Sequence, residues 1–219
     1  MNRTDWRDDT LAREWAGGDR LEPLLSLPRR ITAEVLADAD PPVRRVLDVG
    51  SGPGGFLEAV LDRCPEATGT WTDVSATMQT LARERLARFG ERVAYQTLDA
   101  AELATAGPAG PVDAVVSSRV THHLPGDQLR RFYAAAARLL SAGGWIANLD
   151  HVGMAEPWAG RLARARAGIV PPNPSSHRHD RPRPTVEDHL EGLAAVGGLE
   201  VVVAWRVFST VLLLARRTP

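Results

Sequence analysis

The chain has 219 residues, 44% of them hydrophobic and 24% charged, and its 26 basic and 27 acidic side chains leave a net charge of -1. That balance suits one folded domain and argues against a disordered chain or a uniformly basic nucleic-acid binder. Every basic residue is Arg and none is Lys, and Cys64 stands alone; a Schiff-base lysine, a P-loop lysine, an internal disulfide and a cysteine-built metal site are thereby excluded, and a reducing cytoplasm is expected.

Residues 4–39 read as two helices. Leu11 and Trp15 are four apart before the break at Gly17 and Gly18, and a second helix runs from about Asp19 to Ala37 with Leu21, Leu24, Leu25 and Ile31 apolar. Pro28 is expected to bend or interrupt it. The first residues are mixed in charge, so no signal peptide is expected, and no run approaches the roughly 18 apolar residues of a membrane span.

From residue 43 the pattern alternates between strand and helix. Val43–Val49, Thr68–Asp73, Arg92–Leu98, Val112–Ser118 and Trp145–Leu149 read as strands. Phe56, Leu57, Val60 and Leu61 show helical spacing. Ser75 caps a helix that Gly90 stops, and Asp127–Leu140 forms another that ends at Gly143 and Gly144. Residues 151–184 start helical, from Glu156 to Gly168, and continue as a loop rich in Pro, Arg and His. A helix near Thr185–Val196 and two β-runs, Leu199–Arg206 and Phe208–Arg216, close the chain; about one residue separates the runs, so they pair antiparallel. Five β–α steps imply an α/β fold, a doubly wound, mostly parallel sheet of about seven strands with the last one antiparallel. Ligands of such sheets bind beyond the carboxyl ends of the strands, near the point where strand order reverses.

The first of those turns, Gly50-Ser51-Gly52-Pro53-Gly54-Gly55, fits a glycine-rich cofactor loop, a weak signal by itself. Two neighbours narrow the ligand. Asp48 would repel a pyrophosphate and attract a cationic amine, and Pro53 removes one N–H donor from any phosphate cradle. Both favour a cofactor with an amino-acid end over a nicotinamide or flavin dinucleotide. Asp73 ends the second strand, where a carboxylate accepts from ribose hydroxyls, or else simply starts a helix. Asp99 either meets an adenine amine, with the Ala100 N–H on a ring nitrogen, or caps a short helix.

These residues, with Val115-Val116-Ser117-Ser118, His122-His123-Leu124-Pro125 and Leu139-Leu140-Ser141-Ala142-Gly143-Gly144, follow one another in an order that resembles the class I S-adenosylmethionine-dependent methyltransferases. The resemblance spans roughly residues 43–150, and the terminal hairpin is similar to that family's last strand pair. It implies a Rossmann-like fold and S-adenosyl-L-methionine as cofactor. Asp48, Gly50, Ser51 and Gly52 would face its methionine end and Asp73, followed by Val74, its ribose. Asp99 and Ala100 would meet the adenine and Ser118 the methionine amine. The expected organisation is a single domain over 1–219. Residues 1–40 form a helical lid, 43–150 the cofactor-binding core, 151–184 an acceptor-facing insertion, and 185–219 the closing helix and hairpin.

The acceptor is less legible. The turn after the fourth strand lacks the Pro-Pro-aromatic signature of amide and adenine N-methyltransferases, Cys64 is remote from it, and it holds no acid for a catechol-type Mg²⁺ site, so no metal is expected. His122, His123 and His151 follow the fourth and fifth strands and are the candidates for a general base; structural roles are the alternative. His177 and His179 make half a metal site at most. Six Arg against Asp180 give residues 161–183 a charge of +5, suited to a carboxylate or phosphate on the acceptor, to RNA phosphates, or to solvent alone. The expected activity is methyl transfer to a small-molecule acceptor. A tRNA base-modifying enzyme and a non-catalytic S-adenosylmethionine-binding protein are the other readings. Acidic excess over residues 1–40 and the absence of aromatics among the arginines weigh against nucleic acid. No membrane partner is expected, and nothing in the sequence sets an oligomeric state.

Overall fold

The computed structural model describes residues 6–18, 22–107, 110–124, 126–170 and 182–218. Seven strands, β1 (Arg45–Val49), β2 (Thr68–Asp73), β3 (Val93–Thr97), β4 (Val112–Ser118), β5 (Leu140–His151), β6 (Leu199–Val207) and β7 (Thr210–Arg217), form one sheet in the order β3-β2-β1-β4-β5-β7-β6. β1 to β5 pair in parallel, and β7 runs antiparallel to both its neighbours. The strand order reverses between β1 and β4, so the crevice that a doubly wound sheet offers a ligand opens at the carboxyl ends of these two strands.

Strand alternation divides β1 between two cores. Val46 faces a layer made by α1 (Asp9–Gly18), α2 (Glu22–Ala37), α3 (Gly55–Arg63) and α4 (Ala76–Arg85), through Ala12, Leu25, Leu36, Phe56, Leu57, Met78 and Ala82. Leu47 and Val49 face the opposite layer, where α5 (Leu103–Ala106), α6 (Gly126–Leu139) and α8 (Val186–Ala194) contribute Leu103, Leu129, Phe132, Tyr133 and Leu193. Each fully buried Leu or Phe here contributes roughly 1.5–3 kcal/mol. α7 (Trp158–Ala167) has no buried residue and lies beyond the end of β5.

Three expectations need correcting. α2 runs unbroken through Pro28, whose ring is buried; the apolar burial of Leu25 and Leu36 along the same helix outweighs the bond that proline removes. Gly143 and Gly144 do not close off a separate strand. β5 begins directly after α6 at Leu140, and the glycines fall where its pairing with β4 shifts register, Gly143 taking φ +72°. Two residues, Phe208 and Ser209, join β6 to β7, with Phe208 at φ +53°. Among the described residues no helix is long and apolar enough to cross a membrane.

Candidate active site

The glycine loop is held by its neighbours before any ligand arrives. The Ser51 N–H donates to the Thr72 carbonyl at 2.8 Å, and Trp71 Nε1 donates to the Gly52 carbonyl at 2.8 Å. Gly50, Gly52 and Gly54 all have positive φ. At Gly50 a Cβ would also lie 2.2 Å from Val120 Cγ2, so a side chain is refused there on two grounds. At Gly52 a Cβ would meet nothing within 4 Å, so the loop borders open space.

Asp48 is fully buried. Its Oδ2 accepts from Ser51 Oγ at 2.5 Å and from the Leu57 N–H at 3.2 Å, whereas Oδ1 is buried with no hydrogen-bond partner among the described residues. Burial pushes its carboxyl up to about 7; the Ser51 hydrogen bond and the charge of Arg29 counter this only in part. Val116 is the register partner of Asp48 on β4, and Ser118 lies two residues beyond it on the same face. Ser118 Oγ is likewise buried and unpartnered. The sheet therefore presents two unsatisfied oxygens at the switch point, one on a carboxyl. Leaving such groups unpaired costs roughly 1–3 kcal/mol each. By charge and donor count a primary ammonium, such as the methionine end of S-adenosylmethionine, suits these acceptors; a pyrophosphate does not.

Asp73 clasps the loop to the next helix. Oδ2 accepts from the Gly52 N–H and Oδ1 from the Ser75 N–H, each at 2.9 Å. Each oxygen keeps a second lone pair, so the clasp and a ribose contact are compatible. Burial raises the Asp73 pKa against these backbone bonds. Val74 follows in the turn before Ser75, which caps α4 by accepting from the Met78 N–H at 3.3 Å. Asp99 caps a short 3₁₀ turn that begins at Ala100, its Oδ1 accepting from the Ala101 N–H at 2.9 Å, and its Oδ2 lies 3.8 Å from the Arg7 guanidinium.

The turn after β4 and the end of β5 bring the three histidines together. The His122 ring centroid is 4.0 Å from that of His123 and 5.7 Å from that of His151. Asp150, fully buried, organises the group. Its Oδ1 accepts from His122 Nδ1 at 2.5 Å and from the His151 N–H at 2.6 Å, and its Oδ2 accepts from Thr121 Oγ1 at 2.6 Å and the His122 N–H at 2.9 Å. Burial opposes its ionisation, but the charges of His122 and His151 and these hydrogen bonds outweigh burial and hold the carboxyl well below the usual range. An ionised Asp150 can only accept, so a neutral His122 carries its proton on Nδ1 and its acceptor on Nε2. His151 Nδ1 lies 3.1 Å from Thr210 Oγ1; burial, then the neighbouring His122, press its pKa well below 6.5.

Sequence reasoning missed the support behind Asp150. Asn148 Nδ2 donates to Thr121 Oγ1 and to Tyr133 Oη, both at 3.0 Å, and Tyr133 Oη lies 2.7 Å from Nδ1 of the buried His189. The signal was present: Asn148 and Asp150 extend the buried face that Ile146 begins on β5, and polar residues in such a row require partners. Missed too was the aromatic cover. The Arg119 guanidinium lies 4.4 Å above the Trp15 ring, and the Trp6 ring is 5.6 Å from Trp15 and 5.9 Å from His123. Within the arginine-rich segment, Arg161 and Arg164 are exposed on α7. His177, Arg178, His179 and Arg181 lie outside the described residues.

Residues 46–144 match the family model for a methyltransferase domain. A trans-aconitate 2-methyltransferase of Rhodopseudomonas palustris is 34% identical over 152 residues, covering 63% of this chain and 54% of the relative. A hybrid PKS-NRPS synthetase of Macrophomina phaseolina is 34% identical over 115 residues, 51% of this chain and 3% of that protein. An O-methyltransferase family 2 protein from Planctomyces limnophilus, solved in complex with apigenin, superimposes on 100% of this chain and 62% of its own with a TM-score of 0.66 at 21% identity. The chain thus spans about half or less of the curated relatives described. The sheet order, the loop and the family match agree in likening residues 46–144 to a methyltransferase domain. The chain as a whole has a Rossmann-like fold, with the sheet order of solved methyltransferases.

Proposed function

We propose that this chain transfers a methyl group from S-adenosylmethionine to a small organic acceptor. The observation that carries the reading is the pair of buried, unpartnered oxygens, Asp48 Oδ1 and Ser118 Oγ, at the carboxyl ends of β1 and β4. When bound, S-adenosylmethionine supplies an electrophilic methyl group on a sulfonium, open to in-line displacement. Asp48 and Ser118 receive its ammonium. Asp73 offers its remaining lone pairs to the ribose, while Asp99 and Ala100 flank the adenine. Gly50, Ser51 and Gly52 let the chain pass close to the methionine end. Alignment of donor and acceptor supplies about 7–11 kcal/mol, so the protein acts first as a positioning device.

Where the acceptor must lose a proton, His122 takes it, because Asp150 fixes its ring and stabilises the imidazolium that forms. α1 and the preceding Trp6, which packs on Trp15 and against His123, form the lid. The lone Cys64, a buried free thiol, suits a reducing cytoplasm. The test supplies tritium-methyl-labelled cofactor together with a protein-free metabolite extract or bulk tRNA. Label should enter a small product and not tRNA. Label confined to tRNA, or no labelled product despite cofactor binding, overturns the reading.

A further inference from the structure

Beyond His151 the surface opens into a cleft of about 590 Å³ that the cofactor residues do not line. Its volume lies within the range of small-molecule sites. One wall is apolar: Val152, Met154, Leu162 and Phe208. Two arginines share it, Arg166 from α7 and Arg183 from the segment before α8. Both are half-buried, and among the described residues neither guanidinium makes a hydrogen bond or an ion pair. Two like charges lining one largely apolar pocket, with no carboxylate lining it among the described residues, are costly for the protein alone.

The position is as informative as the charge. Val152 and Gly153 line the cleft and directly follow His151 at the end of β5. Arg183 lies within electrostatic range of Asp150 and of Arg166, and its charge also acts on His151. The cleft therefore adjoins the histidine cluster on the side away from the glycine loop, where an acceptor would approach. Arg119 and Arg183 both act on His151 beside Asp150, and Arg166 adds to the positive charge there, which an anionic acceptor would offset. The planar fork of arginine matches a carboxylate.

We propose that Arg166 and Arg183 clamp the carboxylate of an acceptor whose apolar body lies against Val152, Met154, Leu162 and Phe208. The inference rests on the methyltransferase reading above and adds the acceptor class, an amphipathic carboxylic acid. It assigns the arginine-rich segment a role through two of its six arginines.

The test is calorimetric titration of the protein saturated with S-adenosylhomocysteine. The probes are benzoate, 4-phenylbutyrate and octanoate, each beside its primary amide, with phenyl phosphate as a dianionic control. At least one carboxylate should bind about tenfold or more tightly than its amide and than phenyl phosphate. Arg183→Gln and Arg166→Gln should each remove that preference while leaving S-adenosylhomocysteine affinity unchanged and the melting temperature no lower, and Arg183→Lys should keep it only in part. Equal binding of every carboxylate and its amide, or a preference that survives both substitutions, overturns the clamp. If S-adenosylhomocysteine itself fails to bind, the methyltransferase reading falls first, so the two failures are distinguishable.

Discussion

Asp48→Asn separates the cost of burying the carboxyl from its purpose. The carboxyl moves from its ordinary 3.8 to about 7 on folding. Because the folded protein holds this proton more tightly than the unfolded chain, stability falls as pH rises from about 4 to 7, and the loss is complete above that. At 1.36 kcal/mol per unit, keeping Asp48 ionised at pH 8 costs roughly 4 kcal/mol as an upper limit. The amide removes that cost but leaves its own N–H donors where Oδ1 had no partner, a loss of roughly 1–3 kcal/mol. A net gain of roughly 2 kcal/mol at pH 8 corresponds to about 4–8 °C in melting temperature for a chain of this size. At pH 5 the charge penalty has dropped below roughly 2 kcal/mol, and the variant should lose its advantage. Calorimetric melting at the two pH values measures this. The same variant should bind S-adenosylhomocysteine at least tenfold more weakly, since the amide no longer draws the ammonium. In the wild type, that ammonium should expel the Asp48 proton. Titration in buffers of different ionisation enthalpy should report about half a proton released at pH 7, falling toward zero by pH 8. A variant less stable than wild type at pH 8, or cofactor binding with no proton release at pH 7, would refute the reasoning.

Three further outcomes follow from the same geometry. Asp73→Ala should weaken S-adenosylhomocysteine binding at least tenfold by calorimetry, through loss of both the ribose contact and the clasp on Gly52, while circular dichroism stays native; an unchanged affinity would leave Asp73 only its structural part. Gly50→Ala should lose roughly 1–3 kcal/mol in denaturant unfolding, because φ +64° is strained for alanine and its Cβ meets Val120. With a proton-bearing acceptor, His122→Ala should lower turnover by about 10²–10⁴, whereas His151→Ala, which removes a ring already neutral at pH 7, should stay within about tenfold; equal losses in both would mean that the cluster only packs the site.

The parallel core was legible because β1 and β4 carry buried apolar runs and the strands end at turns of recognisable chemistry, such as Gly50–Gly55 after β1. Boundaries were less so. Tertiary burial of Leu25 and Leu36 overrode the proline signal at Pro28, and a register shift against β4 absorbed Gly143 and Gly144. In the site, Asp48, Asp73 and Asp99 were nameable because they stand at strand ends. Asp150 was visible as a residue, but not as the hub of His122, Thr121 and His151, because that role depends on a turn after β4 meeting the end of β5. The stack of Arg119 on Trp15 is likewise a contact between elements far apart in sequence. No local pattern encodes them.

The central claim is that the carboxyl ends of β1 and β4 hold the amino-acid end of S-adenosylmethionine and not a dinucleotide. Isothermal titration of the purified protein with S-adenosylhomocysteine, and separately with NAD and NADP, tests it most directly. Saturable one-to-one binding of S-adenosylhomocysteine, with no heat from either dinucleotide, is the predicted result. Tight NAD or NADP binding with no S-adenosylhomocysteine signal would contradict it.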